Sequence, residues 1–238
     1  MFNNINLTSY LEMAKGIYAG NPQFYVAVDC IIFAYENNDI QVLLQKRKIE
    51  PFIGEQTLLG GFVGADESLD DAAHRVLLER TGMKNVFLEQ VETFGEIDRD
   101  PGGRVISTAY YALLNKKLHN TKLIQKYGCQ WVSLKELPHL HFDHGKMLVK
   151  ALQLLRDRIG YTPVAMNLLP SEFTLTQLQH VYEGILGIEL DKRNFRKRLK
   201  EMPYFAETGK KDKSFSKRAA SLYSFDWEMY RQLKYYHL

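Results

Sequence analysis

Residues 60 to 83, GGFVGADESLDDAAHRVLLERTGM, constrain the fold more than any other stretch of this 238-residue chain. A strand-like segment ending in paired glycines gives way to a polar turn and then to a helix pattern. Ser68 is placed to cap the start of that helix and Gly82 to end it. Leu69, Ala73, Val76 and Leu77 recur at the spacing of one helical face, which predicts that this face is buried. A glycine turn, Glu67, and a helix carrying arginine and glutamate together come close to a site for phosphate chemistry.

The flanking sequence supplies strands. FYVAVDCIIFAY, residues 24 to 35, and IQVLLQKRK are joined by the turn-forming ENND, which reads as a hairpin. EQTLLGGFVG, VFLEQVETFGEIDRD, VISTAYYALL and CQWVSLKEL read as further strands, broken by PGG and by a polar connection. GKMLVKALQLLRDRIG is an amphipathic helix ended by Gly160. Mixed strands with few helices predict an α+β or layered α/β domain over residues 1–160, and YTPVAMNLLP, with two prolines and little periodicity, reads as a linker.

Residues 161–238 differ in charge and pattern. They hold 13 Lys and Arg against 9 Asp and Glu, while the rest of the chain carries a slight acidic excess. TLTQLQHVYEGILG is a helix with Thr174 as a candidate cap. DKRNFRKRLKEM follows, with Asp191 as a cap and Phe195, Leu199 and Met202 as an apolar stripe. YFAETGKKDKSFSKRAASLYSFD then reads as a hairpin with a charged tip, completing the outline of a winged helix.

Composition excludes other classes. At 45% hydrophobic and 25% charged the chain is of ordinary soluble type, and no apolar run approaches the roughly 18 residues of a membrane span. MFNNINLTSYLEMAKG lacks the features of a secretory signal, so a cytoplasmic protein without membrane attachment is expected. Cys30 and Cys129 suggest no disulfide framework and no metal site, and are expected to be reduced.

Residues 61 to 83 resemble the Nudix box of Mg²⁺-dependent diphosphate hydrolases, matching at Gly61, Glu67, Arg75, Leu77, Glu79, Gly82 and Met83. The resemblance implies a Nudix-type α/β/α sandwich. It fails at Val76 and Arg80, where the family pattern has glutamates. Positions 76, 79 and 80 share one helical face, so three carboxylates there would form one cluster. Mg²⁺ needs hard oxygen ligands, and an arginine beside it repels it. No catalytic residue, metal or cofactor is therefore expected, unless carboxylates such as Glu92 or Glu96 are recruited from elsewhere. HLHFDHGK invites a metal reading, but its spacing fits no closed tetrahedral site.

FGEIDRDPGGRVISTAYYALL resembles a segment of Nudix proteins that act on ADP-ribose and related sugar nucleotides. Candidate effector contacts are Asp98, Arg99 and Arg104, with Asp100 beside them, together with Lys46, Arg47, Glu79 and Arg80. In the basic segment, Arg193, Asn194 and Lys197 are candidates for base edges. Thr174, Thr176, Gln177, Lys192, Arg196, Lys200, Lys213, Lys217 and Arg218 are candidates for DNA contacts around them, with Lys210 and Lys211 adding to the basic cluster.

The combination, from about residue 24 onward, resembles the Nudix-related transcriptional regulators of the NrtR family. That resemblance implies a homodimeric repressor or regulator that binds double-stranded operator DNA. Its Nudix-like domain would bind a sugar or nucleotide-sugar effector, a pentose such as arabinose or ADP-ribose, without hydrolysing it. A Nudix hydrolase with a basic extension and a nonspecific RNA-binding protein are the rival readings.

Overall fold

In the computed structural model, which describes residues 20–116, 121–212 and 219–235, a seven-stranded mixed sheet is followed by a three-stranded one. The central strand β1 (Tyr25–Glu36) turns at Asn37 and Asn38 into β2 (Asp39–Lys46). Both asparagines have positive φ, 51° and 62°. Tight hairpin turns need such a conformation, and asparagine tolerates it better than most residues. β3 (Gln56–Thr57) lies beside β2. β4 (Leu59–Phe62) runs antiparallel to β1, setting Gly60 opposite Asp29 and Gly61 opposite Val28. β5 (Glu89–Phe94) pairs with β6 (Val105–Leu114), which lies parallel to β1, and β7 (Cys129–Ser133) pairs with β2.

Alternation along the strands decides what each face buries. Val28, Cys30 and Ile32 of β1, Leu43 of β2, and Tyr110 and Ala112 of β6 share one face. Helix α1 (Leu69–Thr81) covers it with Ala72, Ala73, Val76 and Leu77. Ser68 and Asp71 form a reciprocal capping box at its start and Gly82 closes it with φ 74°, both at the expected positions. A short helix, α2 (Thr121–Lys126), precedes β7. Ile31, Phe33, Val42, Leu44, Ala109 and Tyr111 face the other way, onto Met147, Leu148, Ala151 and Leu155 of helix α3 (His144–Ile159). The result is the layered sandwich expected from the sequence.

The expectation of a linker at YTPVAMNLLP is corrected. Val164–Leu168 form a 3-10 turn, and Ala165, Met166, Leu168 and Leu169 are buried. The turn is too short to show helical periodicity, yet its aliphatic side chains join the core between the sheet, α3 and the segment that follows.

β8 (Glu172–Thr174) leads into helix α4 (Leu175–Leu186), a short turn, and helix α5 (Lys192–Glu201). β9 (Phe205–Asp212) and β10 (Ala220–Phe225) form the hairpin, with β10 also pairing with β8. Helix α6 (Trp227–Tyr235) follows. α2, β8 and α6 lie where the sequence reading expects no such elements. The core cluster on the α3 face continues through Leu175, Leu178, Val181 and Ile185 of α4 to Leu199 of α5. Sheet and winged helix therefore share one hydrophobic core. No helix among the described residues is long and apolar enough to cross a membrane.

Candidate functional site

The two residues that break the phosphate-chemistry pattern have distinct surroundings. Val76 is 1% exposed, and a Cβ built on Gly61 would lie 2.7 Å from its Cγ2. Glycine at 61 is what lets β4 approach α1 this closely. Glu67 accepts hydrogen bonds from the Arg75 guanidinium at 2.6 and 2.8 Å and from the Gly64 amide at 2.6 Å. The Arg75 bonds first, then the Gly64 bond, hold its carboxyl down at about 2. Arg75 also donates to the Phe62 carbonyl at 2.8 Å and reaches Glu79 at 3.3 Å. The box thus works as a clamp between turn, strand and helix.

Beside Gly60 and Gly61 opens a cavity of about 260 Å³. Lys46, Arg47, Lys48, Arg80 and Arg99 contribute cations to its wall, Asp29 and Asp100 contribute carboxylates, and Ile49, Phe62 and Phe142 contribute apolar surface. Arg47 donates to the Pro51 and Glu50 carbonyls and lies 4.9 Å over the Phe142 ring, which fixes it against the wall. The Arg80 Nε is buried with no hydrogen-bond partner among the described residues. Lys48 was overlooked by the sequence reading, although it continues the basic run of Lys46 and Arg47.

Of the expected effector contacts, Glu79, Asp98 and Arg104 do not line this cavity. Glu79 is half exposed and paired with Arg75. Asp98 is exposed in its loop. Arg104 folds back on its own turn, donating to the Glu96 carbonyl at 2.8 Å and lying over Phe24. Glu92 pairs with Lys150 at 3.2 Å, and neither it nor Glu96 reaches the cavity wall.

One side of the cavity is a buried polar network that the sequence reading missed. Asp29 Oδ2 accepts from the Ser107 hydroxyl at 2.7 Å and lies 3.8 Å from Arg99 Nη2. Arg99 donates to both oxygens of Asp143, at 2.6 and 2.8 Å. His144 Nε2 lies 3.5 Å from Asp29 Oδ1, and its Nδ1 is 3.0 Å from the Thr57 hydroxyl. A Cβ on Gly60 would come 2.3 Å from Asp29 Oδ1, so only glycine fits there. Burial pushes the His144 pKa below its ordinary value. The signal was Asp29 itself, a charge inside an otherwise apolar strand, which demands a partner.

Arg99 therefore lines the cavity while both of its short hydrogen bonds go to Asp143. The metal reading of HLHFDHGK finds no support in the geometry. Asp143 and His144 belong to this network, and the His141 ring stacks on Phe52 at 3.8 Å. No group of three metal-ligating side chains occurs among the described residues.

In the basic unit, α5 turns Phe195, Leu199 and Met202 toward the core. It exposes Lys192, Arg193, Asn194, Lys197 and Lys200, and also Arg198, which the sequence reading left out. Asp191 caps the helix by accepting from the Asn194 backbone at 2.8 Å, so the cap uses the amide N–H of Asn194 and not its side chain. Arg196 is half-buried and donates to the Thr176 hydroxyl at 3.0 Å. Thr174 and Gln177 form a capping box, with Thr174 Oγ1 accepting from Gln177 N at 3.1 Å and Gln177 Oε1 accepting from Thr174 N at 2.8 Å. Local hydrogen bonds thus engage these four side chains, which the sequence expects at phosphates. Lys210 pairs with Glu172 at 2.8 Å, and Lys213, Lys217 and Arg218 lie outside the described residues. A basic, exposed helix carried on a hairpin-backed scaffold has the shape and charge to enter a DNA major groove.

Comparison with known proteins joins the two halves. Residues 24–151 match the NUDIX domain, and residues 165–225 match the NrtR DNA-binding winged helix domain. The chain is 37% identical over 223 residues to the ADPR responsive transcriptional repressor NtrR of Acinetobacter baylyi, which covers 90% of this chain and 89% of that protein. It resembles the crystal structure of Shewanella oneidensis NrtR complexed with a 27mer DNA at TM-score 0.74 and 32% identity, covering 84% of this chain and 93% of that one. The NUDIX domain of the same Shewanella protein, complexed with ADP ribose, matches at TM-score 0.53 and 30% identity, over 62% of this chain and 97% of that one. A NUDIX domain and a DNA-binding winged helix sharing one core define a transcription regulator. The chain belongs to the NrtR family.

Proposed function

We propose that this protein is a homodimeric transcriptional repressor that senses ADP-ribose in its NUDIX domain without hydrolysing it. The observation that carries this reading is the cavity wall, where cations outnumber carboxylates and Arg80 stands at a position that the hydrolase pattern gives to glutamate. Asp29 faces Arg99 within the wall, so Lys46, Lys48 and Arg80 remain available to an anionic ligand. A neutral pentose such as arabinose would leave those cations unpaired. The Acinetobacter relative is described as ADPR responsive, and the Shewanella NUDIX domain was crystallised with ADP ribose, which supports the same choice.

Mg²⁺ does not fit the residues present. Val76 is buried, Glu67 is held by Arg75 and Gly64, and Glu79 is paired with Arg75. One half-exposed carboxylate is a poor site for an ion that demands several oxygen ligands.

On the DNA side, Arg193, Asn194 and Lys197 would reach base edges, with Lys192, Arg198, Lys200, Lys213, Lys217 and Arg218 on phosphates. Operator DNA as a partner supports a cytoplasmic location. Effector and operator would be linked through the shared core, each favouring a different arrangement of the dimer. A thermal-shift panel with ADP-ribose and arabinose tests the effector assignment, because ligands that bind the native state raise its melting temperature. ADP-ribose is expected to stabilise the protein and arabinose to leave it unchanged; the reverse pattern overturns the reading.

A further inference from the structure

We infer that Arg80 binds the diphosphate of the effector directly, in the place where a hydrolase of this fold would hold Mg²⁺, so that recognition of the effector needs no metal ion. The inference rests on the effector reading above and adds the chemistry of the contact.

Arg80 stands in the last turn of α1 and lines the cavity beside Gly60. Its Nε is buried without a partner among the described residues, and its Nη2 lies 3.5 Å from the Gly60 carbonyl, at the limit of a hydrogen bond. Folded proteins rarely leave a buried donor unsatisfied, and a guanidinium cannot escape the problem by losing its proton. An oxyanion in the cavity supplies the missing acceptor.

The neighbouring side chains leave no competing arrangement. Val76, one turn earlier, is packed under Gly61, while Glu67 and Glu79 are both engaged by Arg75. A divalent cation there would meet a fixed positive charge and no free cluster of carboxylates. The planar fork of an arginine, in contrast, matches two phosphate oxygens at once. Lys46 and Lys48 on the same wall add positive charge for the second phosphate. The ligand class is a nucleotide sugar whose two phosphates carry its negative charge.

Isothermal titration of the full chain tests this with ADP-ribose and, as a minimal probe, inorganic pyrophosphate, each in EDTA and in Mg²⁺. Wild-type affinity for ADP-ribose is expected to agree between the two buffers. Arg80→Gln is expected to weaken both ligands by about 10- to 100-fold in EDTA, the range for a hydrogen bond to a charged group. Arg80→Lys, which keeps the charge but loses the fork, is expected to recover part of that loss. Tenfold or stronger dependence of wild-type binding on Mg²⁺, or wild-type affinity in Arg80→Gln, overturns the inference. If ADP-ribose fails to bind while pyrophosphate binds in EDTA through Arg80, the effector assignment falls and the inference stands. If neither ligand binds in EDTA, the inference falls. The comparison of the two buffers decides the matter even where Arg80→Gln does not fold.

Discussion

Gly184 of α4 packs directly on Ile40 of β2: a Cβ built on the glycine would lie 2.7 Å from Ile40 Cγ1. The same strand carries Gln45 and Lys46 to the wall of the cavity. β2 therefore touches the candidate effector site at one end and the first helix of the DNA-binding unit at the other. Arg156 of α3 fastens the end of α4 by donating to the Ile185 carbonyl at 2.8 Å. Two sites bearing on one packed element share a route for linkage between ligands, which requires that element to take two arrangements.

Gly184→Ala tests that contact. Alanine would add about 1 kcal/mol of helix propensity, whereas overpacking a filled core costs about 1–3 kcal/mol. The packing cost wins, so a lower melting temperature is expected in calorimetry. ADP-ribose and operator should each still bind, with the effect of one on the other reduced. Unchanged stability and unchanged linkage would remove Gly184 from the coupling.

Asp143→Ala strands the Arg99 guanidinium in the interior, because Asp143 supplies both of its short hydrogen bonds. Breaking a buried pair in this way costs about 3–5 kcal/mol, measurable by urea unfolding. Arg99→Ala should cost a similar amount. If Arg99→Ala instead keeps its stability and loses effector affinity, Arg99 is a ligand contact and not part of the framework.

Acid should weaken the fold through His144. Burial, the largest influence, lowers its pKa; Asp29 and Asp143 oppose that, and Arg99 and Arg47 add to it. From about 6.5 down to the folded value the unfolded chain then binds more protons, so stability falls as the pH falls through that window. Glu67, lowered from 4.5 to about 2, adds its own loss as the pH falls through that range. Melting curves taken across the His144 window should drop for the wild type and flatten for His144→Gln. An equal drop in both would exclude His144 as the cause.

For DNA, Arg193→Ala or Asn194→Ala should lower discrimination between operator and random duplex by about 1–3 kcal/mol. Thr174→Ala acts differently, because its hydroxyl caps α4. That change should cost about 1 kcal/mol of stability and leave sequence preference intact. Competition binding against random duplex, paired with unfolding curves, separates the two effects.

Local signals were readable in the sequence where one short stretch carries the whole interaction. Ser68 with Gly82 bounds α1, Glu67 meets Arg75 eight positions on, and Asp191 caps α5. The polar network was not readable, because Asp29, Thr57, Arg99, Ser107, Asp143 and His144 come from separate elements and meet only in the fold. Side-chain direction was lost in the same way. Glu79 and Arg80 are adjacent in sequence, yet one pairs with Arg75 while the other lines the cavity. Thr174 is legible as a cap, but that the Gln177 side chain closes a capping box with it shows only in the fold.

The central claim is that ADP-ribose regulates DNA binding and is not a substrate. Fluorescence anisotropy with a duplex selected by the protein from a random library, titrated with and without ADP-ribose in Mg²⁺, tests it most directly when the nucleotide is then recovered by chromatography. A shift in operator affinity of about 5- to 150-fold, the usual range of allosteric coupling, with ADP-ribose recovered intact, is the predicted result. Operator affinity unmoved by ADP-ribose while the nucleotide is cleaved at its diphosphate would contradict it.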